Sequence, residues 1–133
     1  MSQVALDTSA VAAVILGEPD AQVFAAAMMR HAGDLSMSAA TRTELGIVVE
    51  ARQGPAAADD LRALLDRIAV TIEPLDADQA MVALAAWRRF GKGRHPAGLN
   101  LGDCFSYALA RTLAVPLLFK GNDFAQTDIT SAL

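Results

Sequence analysis

The chain is 133 residues long with a formal net charge of −4, and 53% of it is apolar while only 5% is aromatic. That size is read as one domain over residues 1–133, able to bury a core without disulfides or structural metal, and the single cysteine, Cys104, excludes an internal disulfide. No apolar run approaches the roughly 20 residues that span a bilayer, and the acidic balance argues against broad adhesion to nucleic acid, though not against a local basic patch.

In chain order, Val4-Ala5-Leu6 reads as a short buried strand closed by Asp7, and Ser9 to Leu16 as a helix stopped by Gly17. Pro19 fits the first turn of a second helix running to His31, since its missing N–H is not needed there. Leu35 to Ser38 is a second strand, followed by a helix from Ala40 to Arg52 with Glu44 in its first turns and Gly54-Pro55 as its stop. Leu61, Leu64, Leu65 and Ile68 place a further amphipathic helix over Ala57–Ile68, and the β-branched run Val70-Thr71-Ile72 follows as a strand.

Asp76, with Gln79 three positions on, reads as a capping-box variant opening a helix that runs through Trp87 to Gly91. Lys92 to Asn100 is rich in Gly and Pro and basic, and is expected to be a mobile loop. Asn100 then caps a helix with Asp103 in its first turn, where the macrodipole favours an acid. Pro116 to Phe119 is the last strand, and Lys120 to Asp123 turn out of it. This alternation predicts an α/β domain with a central parallel sheet of four to five strands flanked by helices on both faces.

Ligands of open parallel sheets bind beyond the carboxyl ends of the strands, and four acids fall at such junctions: Asp7, Glu44, Asp103 and Asp123. Taken singly, each has a structural reading as a cap, a dipole partner or a turn residue. Taken together they would repel, at roughly 4 kcal/mol for charges about 4 Å apart in an effective dielectric near 20, and so would recruit a cation. An all-oxygen set suits Mg²⁺ or Mn²⁺, which polarise a phosphodiester and activate a bound water, with Thr8 and Ser9 placed to orient Asp7 or the water.

The stretches Val4-Ala5-Leu6-Asp7-Thr8-Ser9-Ala10, Thr43-Glu44-Leu45, Gly102-Asp103-Cys104-Phe105-Ser106-Tyr107-Ala108-Leu109-Ala110 and Leu117-Leu118-Phe119-Lys120-Gly121-Asn122-Asp123-Phe124, with Thr127-Asp128-Ile129, resemble the PIN-domain ribonucleases, and among them the VapC toxins of type II toxin–antitoxin systems. The resemblance covers nearly the whole chain in matching order. It implies a single PIN-like domain and a Mg²⁺- or Mn²⁺-dependent endoribonuclease, held inactive by a cognate VapB-like antitoxin whose C-terminal segment occupies the active-site groove. Asp7 and Asp103 match the two metal-binding aspartates, Glu44 the acid of the middle helix, and Asp123 the acid near the last strand. Many relatives carry Thr-x-Asp at that last place; the run Phe119-Lys120-Gly121-Asn122-Asp123 departs from it, leaving Asn122, Asp123 and Asp128 as alternatives for the fourth position.

The basic loop has a structural reading as a solvated helix end and a functional one as a track for an RNA backbone through Lys92, Arg94 and His95, joined by Lys120. Cys104 has no evident His partner and is read as a small buried residue rather than a nucleophile. The apolar excess beyond one small core predicts a homodimer, and the resemblance implies a groove for an antitoxin helix, as similar proteins have. The lone cysteine and an opening without a charged stretch and apolar core predict a cytoplasmic protein. A dehalogenase-like phosphoacceptor expects a second acid two residues after Asp7, where Ser9 stands, and a receiver expects one at the Met37-Ser38 strand end. A free-standing RNA-processing nuclease and an inactive RNA-binding PIN module are the remaining alternatives.

Overall fold

Four short strands form one all-parallel sheet in the order β3-β2-β1-β4. In the computed structural model, which describes residues 3–133, β1 is Val4–Leu6, β2 Leu35–Ser38, β3 Thr71–Glu73 and β4 Leu117–Leu118. Helices α1 (Thr8–Ile15) and α2 (Ala21–Arg30) follow β1, and α3 (Ala39–Gln53) and α4 (Ala57–Arg67) follow β2. Helices α5 (Ala77–Phe90) and α6 (Leu101–Leu113) lie between β3 and β4, and a 3₁₀ turn at Phe124–Gln126 comes near the end.

Strand alternation sorts the core into two layers, because successive side chains point to opposite faces. Val4 and Leu6 of β1 and Leu118 of β4 pack with Phe24 and Met28 of α2, Leu45 of α3 and Leu61 of α4. Ala5 and Leu117 face the other way, onto Phe90, Tyr107 and Leu109 of α5 and α6. The expected sheet with helices on both faces is therefore present, with four strands. The strands are short but buried, except for β3, whose Ile72 is exposed at the sheet's edge.

Several boundaries differ from expectation. Helix α2 begins at Ala21 rather than at Pro19: Asp20 makes no side-chain cap, its carboxylate being taken up by Lys120 Nζ at 3.0 Å. Strand β3 starts one residue late because Ala69 adopts the left-handed region (φ 52°) while the Val70 N–H closes back onto Leu65 O. The box at the start of α5 is one-sided: Gln79 N–H donates to Asp76 Oδ1 at 2.8 Å, but the buried Gln79 Oε1 accepts no hydrogen bond from the described residues. The Lys92–Asn100 stretch is not the free loop expected. Lys92 N–H donates to Leu99 O, Leu99 N–H to Phe90 O and His95 N–H to Gly91 O, and both Ala97 and Leu99 are buried. Those two apolar anchors tie its ends into the α5–α6 layer.

Candidate active site

Asp7 leaves β1 at the sheet's carboxyl edge, its N–H still bonded to Leu118 O of β4 at 3.0 Å. It is only 4% exposed, and a carboxylate so far from water needs protein donors. It has them. Oδ2 accepts from Ser9 N–H at 3.0 Å and Ser9 Oγ at 2.6 Å, and Oδ1 accepts from Ser106 Oγ of α6 at 2.6 Å. The bond to Ser9 N–H is also the N-cap of α1. With its hydrogen committed to Asp7, Ser106 Oγ acts as acceptor towards Thr41 Oγ of α3 at 3.3 Å, so two buried hydroxyls in series brace the carboxylate from behind.

Glu44 reaches the same place from α3. Its Oε1 accepts from Thr8 Oγ1 at 2.5 Å, and its carboxylate lies against the backbone of α6 at Gly102, where a Cβ would overlap it. Asp103 opens α6 in a reciprocal capping box: Asp103 N–H donates to Asn100 Oδ1 at 2.8 Å, and Asn100 N–H to Asp103 Oδ2 at 3.1 Å. Burial pushes the Asp103 carboxyl up to about 7, partly offset by the Asn100 N–H, and the negative charges of Asp7, Asp123 and Glu44 push it further. That mutual influence is the electrical signature of four acids sharing one end of the molecule.

Asp7, Thr8, Ser9, Glu44, Asn100 and Asp103 line one cleft of about 350 Å³, and Lys120 borders it. Asp123 stands exposed at the following turn, near enough for its charge to act on Asp103 but outside the cleft wall, and Asn122 is exposed beside it. Asp128 is directed elsewhere: it accepts from Tyr107 Oη at 2.7 Å and pairs with Arg89 at 3.3 Å and Arg111 at 3.7 Å, anchoring the C-terminal segment to α5 and α6. Lys120 N–H donates to Ser9 Oγ at 2.9 Å, while its ammonium bridges Glu18 and Asp20 at 3.2 and 3.0 Å. In the basic loop, Lys92 is exposed, Arg94 stacks 4.6 Å over Trp87, and His95 Nδ1 accepts from Ala97 N–H at 3.0 Å. Cys104 is buried, and burial lifts its thiol to about 11, away from the thiolate a nucleophile needs. A larger cavity of about 810 Å³ lies at the amino ends of β1, β2 and β4, lined by one carboxylate, Glu73, among the described residues.

The donor set fits a hard divalent cation, for it is all oxygen and its charges are left to oppose one another. Among the described residues, no three acids, histidines or cysteines close on a common point. This suits Mg²⁺ better than an all-protein cage, because Mg²⁺ keeps several waters and is bound through one or two carboxylates plus substrate phosphates.

Ser106, Thr41 and Gly102 are the positioning residues that local pattern reading passes over. The available signal was a serine and a glycine within one turn of Asp103, on the face that α6 turns to the sheet. Ser106→Ala would take one donor from a buried carboxylate and is expected to cost about 1–3 kcal/mol. Urea unfolding checks it, with an unchanged slope and a lowered midpoint.

The sequence profile of the PIN domain matches residues 4–129. "Ribonuclease VapC30" of Mycobacterium tuberculosis is 50% identical over 126 residues, spanning 95% of both chains. "Ribonuclease VapC" of Mycolicibacterium smegmatis is 48% identical over 128 residues, covering 95% of this chain and 97% of that one. The crystal structure of Mycobacterium tuberculosis VapC20, described as a sarcin-ricin loop cleaving toxin, superposes with a TM-score of 0.80 at 18% identity, covering 96% and 97% of the two chains, a likeness of fold.

Proposed function

The chain belongs to the PIN-domain family, and from that premise we propose that it is the toxin ribonuclease of a type II toxin–antitoxin pair, an endoribonuclease dependent on Mg²⁺ or Mn²⁺. The observation that carries this reading is the buried Asp7, held by three donors at the strand ends, in one cleft with Glu44 and Asp103. We assign metal binding to Asp7 and Asp103, supported by Glu44, with Asp123 contributing charge from the rim. When bound, the ion supplies a polarised phosphodiester and a water made acidic enough to attack it.

The protein's own groups do the positioning. The hydroxyls of Ser9 and Ser106 fix both oxygens of Asp7, so that its outward lone pairs face the cleft without rotamer freedom. Thr8 holds one oxygen of Glu44. Asp103 sits where the α6 N-terminus and the Asn100 N–H favour its anionic form, against burial and the neighbouring acids. A carboxyl balanced in this way near neutrality gives up its proton readily when a cation arrives.

The partners proposed are RNA, a VapB-like antitoxin and a second copy of the chain. An apolar groove of about 370 Å³ between α5 and α6, floored by Ala83 and Cys104 and edged by the exposed Leu84, Trp87 and Leu101, meets the acid cleft at Asn100, which lines both. A helix laid in it would bring its end to the acids, which supports the antitoxin reading. Lys92, Arg94 and His95 remain the proposed loop contacts for the RNA backbone, and Lys120 belongs to the wall between the acids and the α1–α2 turn. No helix among the described residues is long and apolar enough to cross a membrane, and the proposed place of action is the cytoplasm, where the RNA is.

The deciding experiment incubates purified protein with total RNA and maps the new ends, with Asp7→Asn as the control. Divalent-dependent cuts absent from the control are expected; equal cutting by both proteins would refute the assignment. Chelation should suppress cleavage, and Mg²⁺ or Mn²⁺ should restore it and raise the melting temperature with concentration, as any ligand of the native state does.

A further inference from the structure

We propose that Arg52 is the anchor for a phosphate flanking the scissile one, so that the RNA strand crosses the cleft from the acids along the α1–α3 seam. The proposal rests on the ribonuclease reading above and adds the direction of the substrate path. Glu44, Val48 and Arg52 line the cleft at intervals of four along α3, which stacks them on one helix face. Eight residues at about 1.5 Å each put the backbone of Arg52 about 12 Å from that of Glu44, at the far end of the same groove. Between them Ala12, Leu16 and Val48 give an apolar surface on which a ribose or base can lie, with Glu18, paired to Lys120, also on the cleft wall.

Charge singles out Arg52. Two cations line this cleft, and the Lys120 ammonium is already held by Glu18 and Asp20. Elsewhere Arg89 and Arg111 are paired with Asp128, and Arg94 lies over Trp87. Arg52 is exposed and makes no salt bridge among the described residues. Its place in the last turn of α3 is favourable in itself, since cations suit helix C-termini. That explains an arginine there, but an arginine lining a cleft whose other end is acidic also offers a planar fork to a phosphate. A substrate polyanion approaching an acid cluster needs such a counterweight, and the overall charge of −4 does not supply it.

The test uses the full protein with a single-stranded RNA oligonucleotide that it cleaves in Mg²⁺, comparing parent, Arg52→Ala and Arg52→Lys. Arg52→Ala is expected to raise KM roughly tenfold with kcat nearly unchanged, the loss of one charge-assisted phosphate contact. The slope of log affinity against log salt should shrink by about 0.7. Arg52→Lys should restore the slope but only part of KM, since it keeps the charge and loses the fork. Trimming the oligonucleotide from one end should abolish the difference between parent and Arg52→Ala at a single step. A merely structural role would lower the urea midpoint and leave KM and the salt slope alone. Parental KM and salt slope in Arg52→Ala, with cleavage intact, would overturn the proposal while sparing the ribonuclease reading; a parent protein that cuts no RNA would remove both. Weakened binding of an antitoxin peptide with unmoved KM for RNA would assign Arg52 to the protein partner and overturn it as well.

Discussion

Asp103→Asn is expected to abolish RNA cleavage while making the metal-free protein more stable at neutral and alkaline pH. The asparagine keeps an oxygen where Asp103 Oδ2 accepts from Asn100 N–H, so the capping box at the start of α6 survives. What it removes is a carboxyl that burial and three neighbouring acids hold up at about 7, well above the usual aspartate range. The sign follows from linkage: a folded-state pKa above the unfolded one means that the native protein holds a proton the unfolded chain has lost. The parent therefore gains stability as pH falls from above about 7 towards 4, and at higher pH it folds against an uncompensated negative charge. Melting curves of metal-free parent and variant should be furthest apart near about pH 8, with the variant higher, and should converge near about pH 4. Mg²⁺ should narrow the gap at high pH by stabilising the parent more. Removing a charge that acts on the reacting phosphate is expected to lower the cleavage rate by about 10³-fold or more. A variant that melts below the parent at high pH, or that cuts RNA at the parental rate, would count against this account of the site.

The second large effect is expected at Gly102. It occupies the second position of α6, where alanine would ordinarily favour the helix by about 0.5–1 kcal/mol. Here the Glu44 carboxylate lies against that backbone, so the methyl group of Gly102→Ala would strike it and pull Oε1 away from Thr8. Overpacking of this kind costs typically about 1–3 kcal/mol, enough to reverse the propensity gain. Gly102→Ala is expected to be destabilised and nearly inactive, although residue 102 contacts neither metal nor substrate in this scheme. Combined with Glu44→Ala, which clears the space, the same substitution should become stabilising. Urea titration of the four proteins in the cycle reads that change of sign as a coupling between residues 44 and 102. Additive effects would mean that Glu44 rests somewhere other than against α6.

Local chemistry made much of this legible in advance. Asp7 after an apolar triplet, Asn100 three residues before Asp103, and the leucines of Ala57–Ile68 each announce an element through neighbours within one or two turns. The errors fall where a distant group intervened. The Lys92–Asn100 loop reads as free by composition, yet Ala97 and Leu99 are drawn into a layer made by α5 and α6. Asp128 follows the last strand at a plausible distance, but Arg89, Tyr107 and Arg111 turn it away from the acids.

Read alone, the order of residues determined the α/β architecture and the sequence of its strands and helices, because periodicity and capping depend on a few adjacent side chains. Only the tertiary structure decided how those acids are held. Thr8 meets Glu44 across 36 positions, Ser106 meets Asp7 across 99, and Gly102 makes room for Glu44. Such pairings depend on the β3-β2-β1-β4 strand order and on the close approach of α3 to α6. Contacts between elements far apart in the chain arise from packing whole helices on a sheet, and no local pattern encodes them.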